Sequence, residues 1–498
     1  MSSGMRTTPL LRHADRLFIG GDWVEPSSGK TIDVIDSGTE ALFLTVAEAD
    51  ASDMSRAVGA ARQAFDEGPW PRMSHAERAE YLRALAAGIQ RRAEEFGETW
   101  TREAGVLNSI AKATSGVVAG AFNSYAALAD TFAFEEPAQP AAGGYGLLVR
   151  EPVGVVGAII PWNGPLTIIS HKIAPALLAG CTVILKCSPE APGEGYLVAE
   201  TAEAIGFPPG VINVVTADRE VSELLVRDPR VDKITFTGST AAGRRIASLC
   251  GERVARCTLE LGGKSAAIIL DDADLARAAA SLAQAECLAS GQVCSSLTRV
   301  VVTRDRHDEL VEALAGFFSQ VRVGDPFDAH TQMGPLATSR QRDRVEGYIA
   351  KGIDEGAALA TGGGRPKDLE RGWFIEPTVF ANVDNSSTIA QEEIFGPVLS
   401  VIPADDERGA IRIANDTIYG LNSNVFTTDV NRARDVARKL RSGTVGHNGS
   451  KPEFGIAFGG FKQSGIGREG GREGLLTFLE TKTVILDRAP HSGDTSRG

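Results

Sequence analysis

Short runs of small and β-branched residues alternate with helical segments through the middle of the chain. The runs 153–160, 183–186, 211–215 and 233–236 have the composition of strands that are buried on both faces. Segments with apolar residues at helical spacing lie between them, for example 196–205. This alternation predicts a doubly wound, parallel α/β sheet.

A second alternating region follows Gly263. The predicted strands of this region are 266–270, 299–303 and 398–403. Its predicted helices are 274–289 and 307–321. The chain has 498 residues, which is more than one ordinary core accommodates. We therefore expect at least two α/β domains.

The two ends of the chain carry simpler patterns. We predict a hairpin around Gly20-Gly21, a broken helical region over 53–105, a Pro/Ala/Gly-rich turn or linker over 136–144 and a strand near 482–486. The polar termini are expected to be loose.

Composition and charge narrow the classes of partner. The formal net charge is -13, which argues against nucleic acid and anionic membranes, because both need a basic surface. No apolar run reaches the roughly 18 residues of a membrane span, and the chain starts without an apolar signal core. The six cysteines lack the close spacing of zinc sites. A cytoplasmic protein without metal is expected.

One cysteine lies in a setting that suits a nucleophile. Cys294 belongs to the segment Gly291-Gln292-Val293-Cys294-Ser295-Ser296, after a long helical stretch. A tight loop there would expose the sulfur, and a nucleophilic cysteine must reach the thiolate with the help of a base, a cation or a helix N-terminus. The alternative is a small buried hydrophobic residue, as expected of the other cysteines, including Cys287.

Two further segments carry candidate chemistry. Glu260 lies between two leucines and is followed by two glycines, so desolvation could raise its pKa toward that of a general base. Asn163 follows a buried strand and lies close to two prolines, which would fix its amide as an oxyanion donor. The alternatives are a solvated glutamate at a strand end and an Asn-Gly turn without function.

Two glycine-containing segments resemble nucleotide sites to different degrees. Residues 236–243 join a strand to a helix, whose free amides could hold a phosphate. Residues 465–470 match the letters G-x-G-x-x-G, but they follow a polar segment, and the chain after them has barely the length of a minimal βαβ unit, so we interpret them as a loop. His171 and His447 form no metal pair and are expected to be structural.

Taken together, these segments resemble the aldehyde dehydrogenase superfamily, from about Phe18 to Val484. Several separate motifs occur in the family's order, and chance would not supply them. They are Pro161-Trp162-Asn163, Lys186, Gly238–Gly243, Glu260–Lys264, Gly291–Cys294, Glu392–Pro397 and Phe458–Gly465.

The resemblance implies catalytic roles. Cys294 matches the nucleophile and Glu260 the base that activates the cysteine or the deacylating water. Asn163 and the backbone N–H of Cys294 match the oxyanion hole. Lys172 matches a further family lysine, whose role the resemblance leaves open.

The resemblance also implies where cofactor and substrate bind. Lys186 would contact the adenosine ribose, Ser239 the pyrophosphate and Glu393 the nicotinamide ribose. The expected cofactor contacts are Ile159, Pro161, Trp162, Lys186, Gly238, Ser239, Gly243, Leu261, Gly262, Glu393 and Phe395. The expected substrate pocket is formed by Gly164, Leu288, Val293 and Ser295.

The fold that the resemblance implies is α/β, with a Rossmann-type NAD-binding domain, an α/β catalytic domain and a small β oligomerisation element. The expected boundaries are 14–130 and 151–261 for the first domain, 262–462 for the second, 131–150 and 463–488 for the bridging element, and 1–13 and 489–498 for loose termini. A tail strand that pairs with a neighbouring subunit would give a homodimer or homotetramer.

The implied reaction oxidises an aldehyde to a carboxylic acid. The thiolate attacks the carbonyl, hydride leaves to the nicotinamide, and water that Glu260 deprotonates hydrolyses the thioester. The first alternative is a CoA-acylating relative, in which CoA and not water cleaves the thioester. Glu260 disfavours it, because attack by the CoA thiol needs a base less than attack by water does. A catalytically silent NAD-binding structural protein is the second, which the intact Asn163, Glu260 and Cys294 disfavour.

Two departures from the family pattern affect specificity. Pro189 stands where the family often has a glutamate that binds the ribose 2′-hydroxyl, with Glu190 next to it. NAD is favoured, and NADP stays possible. Gly164 stands where many members have an aromatic residue, which would widen the pocket for a bulky or hydrophobic aldehyde.

Overall fold

The computed structural model describes residues 10–449 and 453–490. Strands and helices alternate along both ranges. The strands are β1 Leu17–Ile19, β2 Asp22–Val24, β3 Thr31–Ile35, β4 Leu42–Ala47, β5 Glu135–Ala138, β6 Tyr145–Pro152, β7 Val155–Ile159, β8 Thr182–Cys187, β9 Ile212–Thr216, β10 Lys233–Thr237, β11 Arg256–Glu260, β12 Ala266–Ile269, β13 Arg299–Thr303, β14 Ala358–Thr361, β15 Thr378–Ala381, β16 Val398–Ala404, β17 Asn422–Phe426, β18 Thr444–His447, β19 Gly465–Ile466 and β20 Leu479–Leu486.

Helices cover the faces of the sheets. They are α1 Ala51–Asp66, α2 His75–Arg91, α3 Ala93–Ala104, α4 Asn108–Thr131, α5 Pro165–Ala179, α6 Gly193–Ile205, α7 Arg219–Arg227, α8 Thr240–Glu252, α9 Leu275–Cys287, α10 Arg304–Phe318, α11 Ser339–Asp354, α12 Thr388–Gln391, α13 Glu407–Asn415, α14 Val430–Ala437 and α15 Gly471–Leu476. Within the described ranges, none of them combines the length and hydropathy needed to cross a membrane.

The first sheet is doubly wound. Its strand order among the described residues is β19-β11-β10-β7-β8-β9-β1-β2, and β7 to β11 are parallel. The chain runs outward from β7 through β8 and β9, and returns to the other side of β7 for β10 and β11. The order therefore reverses between β7 and β10, and in open α/β sheets ligands bind at such a switch point, beyond the carboxyl ends of the strands.

The second sheet has the order β14-β15-β16-β13-β12-β17-β18 over the described residues, and all of its pairs except β14 with β15 are parallel. Its central strands β12 and β13 are buried almost throughout, as the run of small and β-branched residues in each predicts. Two apolar clusters, one on each face, separate this sheet from its helices.

A third, antiparallel sheet joins distant parts of the chain. Strand β6 lies between β5 and β20, and the pairing with β20 runs from Tyr145 opposite Leu486 to Pro152 opposite Leu479. Strands β5 and β20 lie within the two segments that we assign to the bridging element, and β6 runs past the first segment to Pro152. The domain boundaries themselves stay predictions.

Three local expectations are corrected. The region 136–144 is not only a turn, because β5 occupies its start and pairs with β6. The region 465–470 is not only a loop, because β19 extends the first sheet beside β11. The start of the chain is packed from residue 10: Leu11 is buried, and the backbone N–H of Arg12 donates to Glu200 at 2.6 Å. Contacts distant in sequence decide each case, so local composition misses them. The predicted loose tail lies mostly outside the described residues.

Candidate active site

The predicted nucleophile Cys294 lies on a loop that follows helix α9. Three consecutive residues of this loop have left-handed backbone, with φ of 48° at Ala289, 54° at Ser290 and 72° at Gly291. Residues other than glycine rarely adopt this conformation, and neighbouring contacts must hold them in it. The loop is therefore built at a cost in local strain.

Two buried side chains hold the loop in place. Ser290 Oγ donates to the carbonyl of Gly334 at 2.8 Å. Gln292 Oε1 accepts from the N–H of Ala337 at 2.9 Å, and its Nε2 donates to the carbonyl of Ala289 at 3.0 Å. Because these bonds are shielded from water, they fix the loop more firmly than exposed bonds would.

Asn163 reaches the same loop from the first sheet. It follows β7, and its Nδ2 donates to the carbonyl of Gln292 at 3.0 Å. Its own carbonyl accepts from the indole N–H of Trp100 at 3.2 Å. The amide nitrogen carries a second hydrogen, and Asn163 and Cys294 line one cavity. A fixed amide N–H is thus available to a group bound beside the thiol, as oxyanion stabilisation requires.

Glu260 ends strand β11 and is 3% exposed. Neither carboxylate oxygen has a hydrogen-bond partner among the described residues. The backbone of Gly459 covers this carboxylate: its φ is 153°, and a Cβ there would lie 2.7 Å from Glu260 Oε1. Burial raises the pKa of Glu260 well above its usual range, and the charge of Glu469 raises it further. A raised pKa is what a general base near neutral pH needs.

Lys172 lies beside the predicted base and not on the cavity wall. Its Nζ donates to Glu469 Oε1 at 2.6 Å and to Thr235 Oγ1 at 3.1 Å. Both partners of the ion pair are buried. The positive charge of Lys172 opposes the raised pKa of Glu260. Lys172 is therefore placed to act through Glu260, a position that the resemblance, which leaves the role of this lysine open, does not specify.

The surroundings of Cys294 keep its thiol protonated. Burial raises the pKa of Cys294 to about 12, and the carboxylates of Glu393 and Glu260 act in the same direction. Formation of the thiolate therefore needs a base or an added positive charge nearby.

The predicted cofactor residues line the carboxyl edge of the first sheet and the facing loop of the second. Ile159 ends β7 with its side chain in the core; Pro161 and Trp162 follow it. Lys186 lies in β8, Gly238 and Ser239 between β10 and α8, Gly243 in α8, Leu261 and Gly262 after β11, and Glu393 and Phe395 before β16.

Glu393 closes this edge from the second domain. Its Oε1 accepts from the N–H of Gly263 at 3.1 Å, and a Cβ at Gly262 would collide with its carboxylate. Phe395, with φ of 65°, meets the Trp162 ring edge-on at a centroid distance of 5.4 Å. The glycine at position 262 therefore leaves room for the Glu393 carboxylate beside the end of β11.

The chemistry of this edge fits a dinucleotide. Ser239 caps helix α8, whose 13 residues present a positive N-terminus of the kind that holds phosphate. Lys186 adds a buried ammonium group, and Glu393 adds a carboxylate that could accept hydroxyl groups. Trp162 and Phe395 offer apolar surface for a ring. Phosphate, ribose and base thus each have a matching group at the switch point.

A cavity of about 1440 Å³ opens beside Cys294. Its lining is mainly apolar and comes from α4, α5, α9 and the segment after residue 452. The predicted pocket residues Gly164, Leu288, Val293 and Ser295 all line it. A Cβ at Gly164 would meet only Trp100, at 3.9 Å, so the wall is open at that position.

The sequence model of the aldehyde dehydrogenase family matches residues 23–484. The chain belongs to the aldehyde dehydrogenase family. This membership confirms three predictions from the sequence: the family resemblance, the α/β fold class, and an enzymatic activity that oxidises aldehydes with NAD.

Similar proteins match nearly the whole length of this chain. Geranial dehydrogenase of Castellaniella defragrans is 45% identical over 471 residues, which are 94% of this chain and 98% of that protein. The crystal structure of Mycobacterium tuberculosis aldehyde dehydrogenase complexed with NAD+ is 46% identical, with a TM-score of 0.93 over 95% of this chain and 98% of that one. Mutant aldehyde dehydrogenase C of Pseudomonas syringae, complexed with NAD+ and octanal, is 40% identical, with a TM-score of 0.93 over 98% and 99%.

Two residues of the site were not predicted from the sequence. Gln292 stands inside a motif that we single out, but its ties to Ala337 and Ala289 could not be foreseen. Glu469 lies in the glycine segment that we set aside, and it reaches Lys172 only because β19 returns that segment to the first sheet. The sequence signal that could have pointed to them was their position in a motif: Gln292 lies in the matched segment Gly291–Cys294, and Glu469 lies in the glycine segment 465–470.

Proposed function

We propose that Cys294, Asn163 and Glu260 carry out hydrolytic aldehyde oxidation in this chain. The observation that supports the proposal most is Glu260 itself. It is a buried carboxylate without a partner among the described residues, and its charge acts on the Cys294 thiol. A carboxylate is expensive to bury unpaired, so a functional reason for it is needed.

The steps follow from the positions of these groups. Glu260 takes the thiol proton, directly or through water, and the sulfur of Cys294 attacks the aldehyde carbon. The N–H groups of Asn163 and of the Cys294 backbone stabilise the oxyanion of the thiohemiacetal. Loss of hydride from carbon leaves a thioester, and Glu260 then deprotonates the water that releases the acid.

The bound cofactor would accept the hydride. Lys186, Ser239 and Glu393 would hold its ribose and phosphate groups, as the chemistry of the cleft suggests. Pro189 leaves the position of the family glutamate without a carboxylate, and the neighbouring Glu190 pairs with Arg340 at 2.6 Å. These two positions do not discriminate between NAD and NADP, but the similar structures were solved with NAD+, and we propose NAD as the preferred cofactor. Comparing kcat/KM for NAD and NADP tests this choice.

CoA acylation and a silent cofactor-binding protein are the alternatives. Single-turnover formation of NADH with a generic aldehyde distinguishes an enzyme from a silent protein. Carboxylic acid formed without CoA distinguishes hydrolysis from acylation. Cys294→Ala supplies the control, because oxidation retained in this variant would overturn the assignment of the nucleophile.

We further propose a bulky or hydrophobic aldehyde as the substrate. The mainly apolar cavity supports this class, together with the open wall at Gly164. Two of the three similar proteins point the same way, because one is named geranial dehydrogenase and another was crystallised with octanal. A panel of aliphatic, aromatic and terpenoid aldehydes, ranked by kcat/KM, tests it. Equal or better turnover of short polar aldehydes would contradict it.

Assembly and location are proposals as well. Among the residues that the structure describes, strand β20 is the edge of its sheet, and Ile485 on it is 67% exposed. An unpaired edge strand of eight residues invites pairing with another chain. We propose a homodimer or homotetramer in the cytoplasm. Light scattering after size-exclusion chromatography measures the first, and cell fractionation the second.

A further inference from the structure

We propose that His171 determines specificity within this cavity by hydrogen-bonding a hydroxyl or oxo group that the substrate carries about 10 Å from its aldehyde carbon. The proposal rests on the proposed function, because it concerns the aldehyde that Cys294 oxidises. It adds a polar requirement at the far end of an otherwise hydrophobic substrate.

The position of His171 follows from the face that α5 turns toward the cavity. Gly164, Thr167, Ile168 and His171 all line it, with the spacing of one helical face. At 1.5 Å per residue, His171 lies about 10 Å along the helix from Gly164, which adjoins Asn163. His171 is thus well separated from the reacting carbon but lies on the same wall.

The imidazole of His171 is buried and packed against two aromatic rings, and one of its two nitrogens has no hydrogen-bond partner among the described residues. It is 4% exposed, and its Nδ1 has no hydrogen-bond partner in the described part of the chain. Phe454 stacks on it at a centroid distance of 4.3 Å and an interplanar angle of 16°. The edge of Tyr125 packs at 6.4 Å. A polar atom held in this way can discriminate between ligands, because water does not take the place of a missing partner.

His171 is neutral at physiological pH. Burial lowers the pKa of His171 to about 4, and the positive charge of Lys172 lowers it as well. The negative charges of Glu469 and Glu453 raise this pKa but do not offset the effect of burial. A neutral imidazole has one donor nitrogen and one acceptor nitrogen. A hydroxyl group satisfies either nitrogen, an oxo group satisfies the donor, and a methyl group satisfies neither.

Tyr125 offers a second polar group at the same level. Its oxygen accepts from the N–H of Gly470 at 3.0 Å, and a phenol can also donate its own hydrogen. Tyr125 also lines the cavity. Helices α4 and α5 together therefore present two polar groups on a mainly apolar wall.

Two aldehydes of equal length test the proposal. In 8-hydroxyoctanal the hydroxyl group lies about 10 Å from the aldehyde carbon when the chain is extended, as the proposal requires. Nonanal has a methyl group in place of this hydroxyl group. We expect the wild-type protein to favour 8-hydroxyoctanal in kcat/KM by about fivefold, the effect of one net hydrogen bond. In His171→Phe, which keeps the stacking on Phe454, the preference should disappear while nonanal turnover is retained or improved.

The outcomes separate the two proposals. Turnover of nonanal with a preference that survives in His171→Phe, or with no preference in the wild type, would overturn the role of His171 and leave aldehyde oxidation intact. Failure of both aldehydes, with other aldehydes oxidised, would overturn the substrate class. If His171→Phe is unstable, His171→Gln with the same two aldehydes decides, because a glutamine restores polar atoms and should keep part of the preference.

Discussion

Lys172 and Glu469 form an ion pair, with Nζ and Oε1 at 2.6 Å, that is buried beside Glu260. Lys172 lowers the pKa of Glu260 and Glu469 raises it. The two residues lie 297 positions apart in the chain. The pair can therefore tune the base without touching the substrate.

Lys172→Met should raise the pKa of Glu260. The base acts in its deprotonated form, which is present above its pKa, so the rise of the hydrolysis rate with pH should move to higher pH. The loss of one buried charge should also destabilise the fold by about 3–5 kcal/mol. The pH profile of kcat and thermal unfolding measure the two effects.

The matched control removes both charges. In the double variant Lys172→Met, Glu469→Gln, the opposing influences on Glu260 are both absent, so the pH profile should return toward that of the wild type. An unchanged profile in the single variant would contradict the role of Lys172.

Glu260→Gln should acylate but not turn over. The amide keeps the shape of the side chain but cannot accept a proton, so the steady-state rate should fall by about a hundredfold or more. A pre-steady-state burst of NADH should persist at high pH, where the thiol ionises without help. Stopped-flow absorbance measures the burst, and a normal steady-state rate would exclude Glu260 as the base.

Glu393→Gln should make Cys294 more reactive. The Glu393 carboxylate helps to raise the pKa of the thiol to about 12, so its removal should increase the thiolate fraction at pH 8, by about tenfold for each unit of pKa lost. Labelling of the Cys294 peptide with iodoacetamide, followed by mass spectrometry from pH 7 to 10, measures this. The labelling of Cys257 provides an internal reference, and equal rates in both proteins would argue against the prediction.

Gln292→Ala should damage catalysis more than stability. The substitution removes the bonds to Ala337 and Ala289 that hold the left-handed loop, and a displacement of about 1 Å at a reacting group can reduce the rate by roughly a hundredfold. An unpaired buried N–H should destabilise the fold by about 1–3 kcal/mol. Gln292→Glu keeps the acceptor for Ala337 and should retain more activity. Loss of stability without loss of kcat would point to a purely structural role.

The sequence by itself determined the class of the protein. Runs such as 299–303 specify buried strands, because their side chains suit no other environment, and the strand β13 has those bounds. The separate motifs around Asn163, Glu260 and Cys294 specified the family, which the comparisons confirm. Short-range patterns suffice for these features.

Only the tertiary structure decided how the site is assembled. The pairing of β19 with β11 brings Glu469 to Lys172 and Gly459 over Glu260. The burial that raises the pKa of Glu260 also arises from residues far away in sequence, and His171 becomes a cavity residue only when α5 packs beside α4. Electrostatics and burial depend on distances in space, and a linear pattern does not contain those distances.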